Sequence, residues 1–206
     1  QSQSQSQSQP QSQPQPELAA AARRLAESAG FDFRGWHWPF YAPYVELALR
    51  YDLPIVAANL SNAGTRRIAR GEDPPPAMRP TGWGRSEDEA MAAEIRDGHC
   101  GMLPERSIAP MALAQQARDA TMAAALADAR RTHGLPVVLL AGNGHVREDL
   151  GVPRHLRDVA PRARVFPVGF VESAAPPASA YGLAILTPRH ARKDPCEALR
   201  APRPAG

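Results

Sequence analysis

The stretch VVLLAGNGHVRED, residues 137–149, governs how the rest of the chain is interpreted. A short apolar run of this kind predicts a buried strand, and two glycines and a histidine follow it directly. In open α/β sheets, sites form beyond the carboxyl ends of the strands. We therefore expect Gly142 and Gly144 to make a tight turn with positive φ and to let a ligand approach the backbone. That turn would place His145 at the mouth of a sheet, near a helix N-terminus, as a ligand or an acid–base group.

Three interpretations of this stretch are open. A dinucleotide-binding fingerprint would need a third glycine where Arg147 stands, and no acid ends a second strand at the required distance. The other two are a plain turn with a surface histidine and a histidine that binds a metal or a cofactor iron. The sequence contains neither HExxH nor GxSxG, so it has no motif of a zinc peptidase or a serine hydrolase.

The chain alternates segments typical of helices with segments typical of strands, which predicts an α/β fold with a largely parallel sheet flanked by helices. The predicted helices are ELAAAARRLAESAG, YVELALRYD, NAGTRRIARG (a short helix or turn), SEDEAMAAEIRDG with a serine N-cap, and SIAPMALAQQARDATMAAALADARRTHG. The predicted strands are LPIVAANL, LPVVLLAGN, ARVFPVGFVE and AYGLAILTP. An aromatic loop, FDFRGWHWPFYAP, is expected between the first two helices.

The length of 206 residues suits one domain. Residues 1–16 are a Gln/Ser/Pro repeat that we expect to be disordered, residues 17–188 form the folded body, and residues 189–206 form a Pro/Arg-rich tail. The formal net charge is only +3 and the arginines are scattered, which argues against nucleic acid as a partner.

The chain has no apolar run of transmembrane length, and it opens without a charged-then-apolar leader. Its two cysteines, Cys100 and Cys196, are far apart in the sequence. We expect no disulfide framework, and Cys100 is interpreted as a small buried residue near a helix end.

The longest predicted helix carries a mixed stripe on one face. Met111, Gln115, Arg118 and Met122 follow one another at spacings of four, three and four residues. The stripe is either a helix edge, half core and half solvent, or a pocket wall with apolar contacts and a cation for a carboxylate. Asp119 could hold Arg118 or another donor in place.

Aromatic side chains are concentrated in WHWPFYAPY, residues 36–44. Such a cluster either closes the edge of a core or covers a flat ligand, with His37, Tyr41 or Tyr44 near an iron.

Four segments in this order resemble the ChaN-like haem-binding proteins of the Tiki superfamily. They are GWHWPFYAPYVELALRYDLPIVAANL, GHCGMLP, MALAQQARDATMA and VVLLAGNGHVREDLGVPRHL. The resemblance spans residues 17–188 and implies an α/β fold, haem as cofactor, and a homodimer formed around haem. It also implies a role in iron or haem acquisition at the cell envelope, often as an outer-membrane or periplasmic lipoprotein. The chain would meet the membrane only through a lipid anchor, of which it shows no signal.

The same resemblance marks Gln115, Arg118 and Asp119 as the Q-x-x-R-D element and His145 as the GxxH histidine. It implies a haem site drawn from His145, Arg118, Gln115, Met122, Tyr41, Tyr44 and His37, with His145 as the candidate metal ligand and no catalytic residue assigned. The family normally begins with a strand carrying Gly-Glu-x-His, and the Gln/Ser repeat stands there instead. The fold is therefore expected to be incomplete at its N-terminal side.

Two other functions remain open. Distant members of the superfamily resemble peptidases and esterases, so one alternative is a metal-dependent hydrolase of the Tiki or erythromycin-esterase type. Such an enzyme would be favoured by two GxxH-type motifs, and only one is present. The other alternative is a degenerate domain that has lost its ligand.

Overall fold

The computed structural model describes residues 15–72, 79–134, 136–172, 180–189, 194 and 196–197. These residues fall into two compact units, Gln1–Ala57 and Ala58–Gly206, and each is described by itself. The expectations for residues 1–14 and for most of the tail lie outside the described residues.

The described residues of the first unit contain two helices, α1 (Gln15–Ser28) and α2 (Trp38–Arg50). The buried face of α1 consists of Leu18, Ala22 and Ala26, which are spaced by four residues and so lie on one side of the helix. Gly30 follows α1 in the left-handed region, with a φ of 71°, a conformation that glycine adopts at little cost.

The second helix begins earlier than the sequence predicts. The expected aromatic loop reaches to Pro43, but α2 already starts at Trp38, with Pro39 in its first turn and Pro43 inside it. Pro39 fits because the first N–H groups of a helix have no partner within the helix. The aromatic segment is therefore half helical, and Tyr41 lies on a helix rather than in a loop, while Tyr44 lies on a helix as predicted.

The second unit is built around one long helix. Its helices are α3 (Asn62–Ala69), α4 (Arg85–Gly98), a 3₁₀ turn (Glu105–Ser107), α5 (Ile108–His133) and α6 (Val152–Val159). Gly134 ends α5 in the left-handed conformation, as the sequence predicts. The N-cap of α4 is Gly84 and not the predicted serine, and the side chain of Glu87 accepts from the Gly84 N–H at 2.9 Å.

Three small apolar clusters form the core of this unit, and each includes a residue of α5. Met122 and Ala123 pack with Val152 and Leu156 of α6. The second cluster joins α5 to α3, and its members are Ile68, Ala117, Leu60 and Leu113. The third joins α5 to α4, and its members are Trp83, Met91, Leu150, Ala90 and Ala112. Helix α5 therefore fixes the positions of α3, α4 and α6.

The sheet has two parallel strands, β1 (Val168–Val171) and β2 (Leu183–Leu186), with Val168 opposite Leu183 and Phe170 opposite Ile185. Helices with a parallel sheet confirm the predicted α/β class. The strands predicted at residues 53–60 and 135–143 are wrong for the described residues, which carry no strand there. The prediction that these segments are buried is also wrong, since Ile55 is 52% exposed and Val138 is 82% exposed. An apolar sequence favours a strand only where a neighbouring strand pairs with its backbone, and none does so here.

The expectation for the cysteines is wrong as well. Cys100 and Cys196 form a disulfide with a Cα–Cα distance of 5.7 Å, across 96 positions of the sequence. No local pattern predicts this pairing, because two cysteines this far apart are brought together only by the tertiary fold.

None of the helices in the described part of the chain combines the length and the hydrophobicity needed to span a bilayer.

The disulfide should contribute strongly to stability. A crosslink that closes a loop of this size limits the unfolded chain, and loss of Cys100 by Cys100→Ser should lower the free energy of unfolding by about 4 kcal/mol. Urea unfolding of oxidised protein measures the change. Cys196→Ser should cause the same loss and the double variant no more, whereas equal stability of all four proteins would contradict the pairing.

A buried histidine should make the fold sensitive to acid. His155 in α6 is 5% exposed beside Trp83, and its Nε2 has no hydrogen-bond partner in the described residues. Burial lowers the pKa of His155 from 6.5 to about 4. Below pH 6.5 this histidine is protonated in the unfolded chain but stays neutral in the folded chain. The free energy of unfolding therefore falls as the pH drops towards 4, and His155 contributes about 3 kcal/mol to this fall.

The variant His155→Phe isolates this effect, because it removes the titrating group and keeps a ring of similar size. The difference in unfolding free energy between wild type and variant should change by about 3 kcal/mol between pH 7 and pH 4. A difference that stays constant over this range would show that His155 does not resist protonation.

Candidate functional site

The N–H and the carbonyl of His145 both make backbone hydrogen bonds, which hold the turn in place. The His145 N–H donates to the Gly142 carbonyl at 2.9 Å, and the His145 carbonyl accepts from the N–H of Val152, the first residue of α6, at 2.8 Å. The Asn143 side-chain amide donates to the Phe170 carbonyl of β1 at 2.5 Å. His145 therefore lies close to a helix N-terminus, as expected, on a turn anchored to the sheet.

The two glycines of this turn do not act as the sequence suggests. Neither Gly142 nor Gly144 has a φ in the left-handed region, and a Cβ on either would meet no atom within 4 Å. The residue that requires glycine is Gly151, because a Cβ there would lie 2.3 Å from the His145 carbonyl oxygen and 2.9 Å from that of Gly144. The close backbone approach is thus between the turn and the start of α6.

The imidazole of His145 is bound to helix α5. Its Nδ1 lies 2.6 Å from Oδ1 of Asp119 and 3.0 Å from Nε2 of Gln115. When Nδ1 carries a hydrogen it donates to Asp119, and when it does not it accepts from Gln115. Either bond fixes the plane of the ring. The side chain of His145 is 18% exposed, and within the described residues its Nε2 makes no hydrogen bond.

Asp119 is fully buried, and only one of its oxygens is satisfied. Oδ2 has no partner among the described residues, and the residue has 0% exposure. Burial raises the pKa of Asp119 to about 6, while the hydrogen bond from His145 and the charge of Arg118 oppose this shift. A buried carboxyl group in contact with Nδ1 holds the imidazole ring in place.

Arg118 precedes Asp119 on α5, but its guanidinium contacts Asn59 and Leu60 before α3 and Asn62, the first residue of α3. Nη1 donates to Oδ1 of Asn59 at 3.1 Å and to the Leu60 carbonyl at 3.4 Å, and Nη2 donates to Oδ1 of Asn62 at 2.9 Å. Desolvation lowers the pKa of Arg118, and Asp119 opposes this shift. The sequence suggested that Asp119 holds Arg118 or another donor. In the structure Asp119 binds His145, and two asparagines hold the guanidinium.

The four residues of the predicted stripe on α5 differ in their burial. Gln115 and Arg118 are half-buried at the edge of α5, and Met111 is half-buried as well. Met122 is 2% exposed and lies in the core against Val152 and Leu156, so its side chain is part of the core and not a wall that a ligand could touch. This corrects the expectation for Met122.

The three aromatic candidates belong to the first unit. His37 is the N-cap residue of α2, and its ring contacts Phe40 edge to face with centroids 4.7 Å apart. Tyr41 packs against Phe31 and Trp36, and partial burial raises its pKa. Tyr44 is 52% exposed. Of the two candidate tyrosines, Tyr44 therefore presents an exposed phenol and Tyr41 a half-buried one.

A second polar cluster follows His145 in the chain and was not predicted. Arg147 is 7% exposed and binds Asp149 through two bonds of 2.9 and 2.7 Å and Glu94 of α4 through a third. The two acids compensate its charge, so this cluster ties the turn to α4. The sequence signal was the segment VRED, where an arginine is followed closely by acids.

Among the described residues, no group of three or more His, Cys, Asp and Glu side chains is placed to hold a metal ion. What the arrangement offers is an oriented imidazole with a free nitrogen, a buried carboxyl group behind it, and a guanidinium without an acidic partner in the described part of the chain.

Comparison with known proteins gives two findings. Residues 5–156 match the family model described as haem-binding uptake, Tiki superfamily, ChaN. A solved structure described as cofacial heme binding to ChaN of Campylobacter jejuni is similar at 22% identity and a TM-score of 0.65. The alignment covers 81% of this chain and 64% of that chain, so this chain spans less than two thirds of the length of its structural relative. No curated protein matches the sequence significantly.

The glycine analysis gives a matched pair of variants. Gly151→Ala should force the turn away from α6, because the new Cβ meets backbone atoms that cannot rotate aside, and should lower the free energy of unfolding by about 2 kcal/mol. Gly144→Ala should change it by less than about 0.5 kcal/mol. Thermal or urea unfolding measures both, and a larger loss for Gly144→Ala would reverse the assignment.

Proposed function

We propose that this chain, which belongs to the haem-binding uptake family ChaN of the Tiki superfamily, is a haem-binding protein that serves haem and iron acquisition at the cell envelope. The observation that carries the proposal is the arrangement on α5. A half-buried guanidinium without an acidic partner among the described residues lies one position from the carboxylate that orients His145. These residues all fall within the part of the chain that matches the family.

The residues present fit haem. Haem supplies a flat apolar ring, two propionates, and an iron that takes axial nitrogen or oxygen ligands. Arg118 would bind a propionate, because a guanidinium matches a carboxylate with two parallel hydrogen bonds. His145 would present Nε2, since Nδ1 is bound to Asp119 and Gln115. Gln115 would act on the ligand through His145.

The first unit supplies further candidates for the iron or the ring. Tyr41 and Tyr44 carry phenols and His37 carries an imidazole, and tyrosine and histidine are both haem ligand types. Trp36 and Phe40 beside them are 46% and 65% exposed, so apolar surface for a flat ring is present in this unit. We propose these three residues as alternatives to His145 for axial ligation.

An envelope location is supported by the disulfide. Structural disulfides form and persist in oxidising compartments, such as the periplasm, and are rare in the cytosol of mesophiles. The bond between Cys100 and Cys196 therefore favours a protein that functions outside the cytosol. Attachment to a membrane would require a lipid anchor, which we propose from the family resemblance alone.

A homodimer is supported by the apolar surface of the sheet. All four residues of β2 are exposed, and Phe166 and Phe170 beside it are 71% and 59% exposed. Apolar groups in such concentration mark protein interfaces more often than free surface. No observation among the described residues favours the metal-dependent hydrolase, so we propose no second function.

Haem titration tests the proposal. Wild-type protein should develop a Soret band with a defined stoichiometry, and Arg118→Ala should weaken binding about tenfold through loss of the propionate contact. His145→Ala should abolish the Soret shift if the imidazole binds iron, or only lower the affinity if it contacts another part of haem. Sedimentation of the same samples should show a dimer when haem is bound.

Arg131→Ala is the matched control, because Arg131 is an exposed arginine of the same helix that pairs with Asp128. It should bind haem as the wild type does. A wild-type protein that produces no specific Soret band would overturn the proposal and favour a domain that has lost its ligand.

A further inference from the structure

The guanidinium of Arg118 has an unusual set of partners. Three bonds hold it, and all three acceptors are neutral, namely the side-chain oxygens of Asn59 and Asn62 and the backbone oxygen of Leu60. In the part of the chain that the structure describes, no carboxylate lies within ion-pair distance of it. Partly buried arginines are usually paired with acids, because an unpaired charge loses hydration without compensation. Arg147 of the same unit follows that rule with Glu94 and Asp149.

The three bonds use three of the five N–H groups of the guanidinium. Its five N–H groups are two on Nη1, two on Nη2 and one on Nε. The protein uses both on Nη1 and one on Nη2, so one N–H on Nη2 and the one on Nε remain within the described residues. Nε and Nη2 lie along the same edge of the group, and this edge binds a carboxylate with both of its oxygens.

The two asparagines also retain their donors. Each uses its amide oxygen on Arg118, and the structure gives neither amide NH₂ a partner among the described residues. Asn59 and Asn62 therefore orient a cation without neutralising it. An aspartate at either position would have bound the same N–H groups more strongly and cancelled the charge.

We infer that Asn59, Asn62 and Arg118 form a carboxylate-binding subsite, in which the two asparagines keep the guanidinium oriented, without a direct ion pair, for an acid group of the ligand. This inference rests on the proposed function, in which that acid is a propionate. It adds two residues, Asn59 and Asn62, as positioning residues that set the preference for an anionic ligand.

The test is Asn62→Asp, which changes one amide to a carboxylate of the same shape. The new carboxylate should form an ion pair with Arg118 and so compete with the acid group of the ligand. The ligand is iron-free protoporphyrin, whose binding is followed by its fluorescence, so that no result depends on iron ligation. The affinity of the variant should fall about tenfold, to the level of Arg118→Ala, and the double variant should show no further loss.

Two controls separate this effect from damage to the fold or general repulsion. Ala124→Asp adds the same charge at an exposed position of α5 and should bind protoporphyrin like the wild type. The dimethyl ester of protoporphyrin has the same ring without acid groups, and Asn62→Asp should bind it as well as the wild type does. An unchanged affinity of Asn62→Asp for protoporphyrin, an equal loss for the ester, or a loss that adds to that of Arg118→Ala would overturn the inference.

Failure of the proposed function gives a different result. If the wild type binds neither haem nor protoporphyrin, the Nε–H signal of Arg118 can be followed by NMR while glutarate is added as a simple dicarboxylate. A shift in the wild type that is absent in Asn62→Asp would support the subsite without haem. A wild-type signal that does not move would overturn the subsite as well.

Discussion

The hydrogen bond between Asp119 and His145 holds the turn that carries His145 against helix α5 in the second unit. It joins the long helix α5 to a turn that is 26 residues further along the chain, at a distance of 2.6 Å. Asp119 is completely buried, and a carboxylate in that position without a hydrogen-bonding partner would be costly. The imidazole is that partner, so the turn must remain against α5 for the helix to remain buried there. The bond thus links the position of a candidate ligand to the stability of the core.

The packing around this bond explains why the turn has little freedom. Helix α6 starts seven residues after His145 and contributes Val152 and Leu156 to the core around Met122. The first N–H of α6 donates to the His145 carbonyl. Gly151 allows the backbone of the turn to approach the start of α6 at a distance that no side chain would permit. Arg147 then ties the following residues to α4. Sites that are held by several rigid elements retain their geometry when a ligand arrives, which reduces the entropy lost on binding.

The sequence predicts the parts of this structure that depend on local signals. The limits of α5 follow from a proline in its first turn and Gly134 after its end, and the place of His145 near a helix N-terminus is also as the sequence predicts. The errors concern long-range contacts. Residues 53–60 and 136–141 have the composition of strands, but the structure gives them no backbone partner, and the pairing of Cys100 with Cys196 depends on a fold that brings distant segments together. The aromatic segment was taken for a loop because of its prolines, although Pro39 stands where a helix accepts one.

Arg118 and Asp119 show most clearly what sequence spacing cannot give. Adjacent residues of opposite charge suggest an ion pair, yet successive positions on a helix point about 100° apart. Asp119 turns inward to His145, and Arg118 turns to the two asparagines at the start of α3, so neither neutralises the other through a direct bond. Two adjacent positions of the helix thereby point a buried acid and a half-buried cation in different directions. The acid orients an imidazole, and the cation makes no direct bond to an acid among the described residues. A direct pair would have replaced the bonds that each group now makes to another segment of the chain.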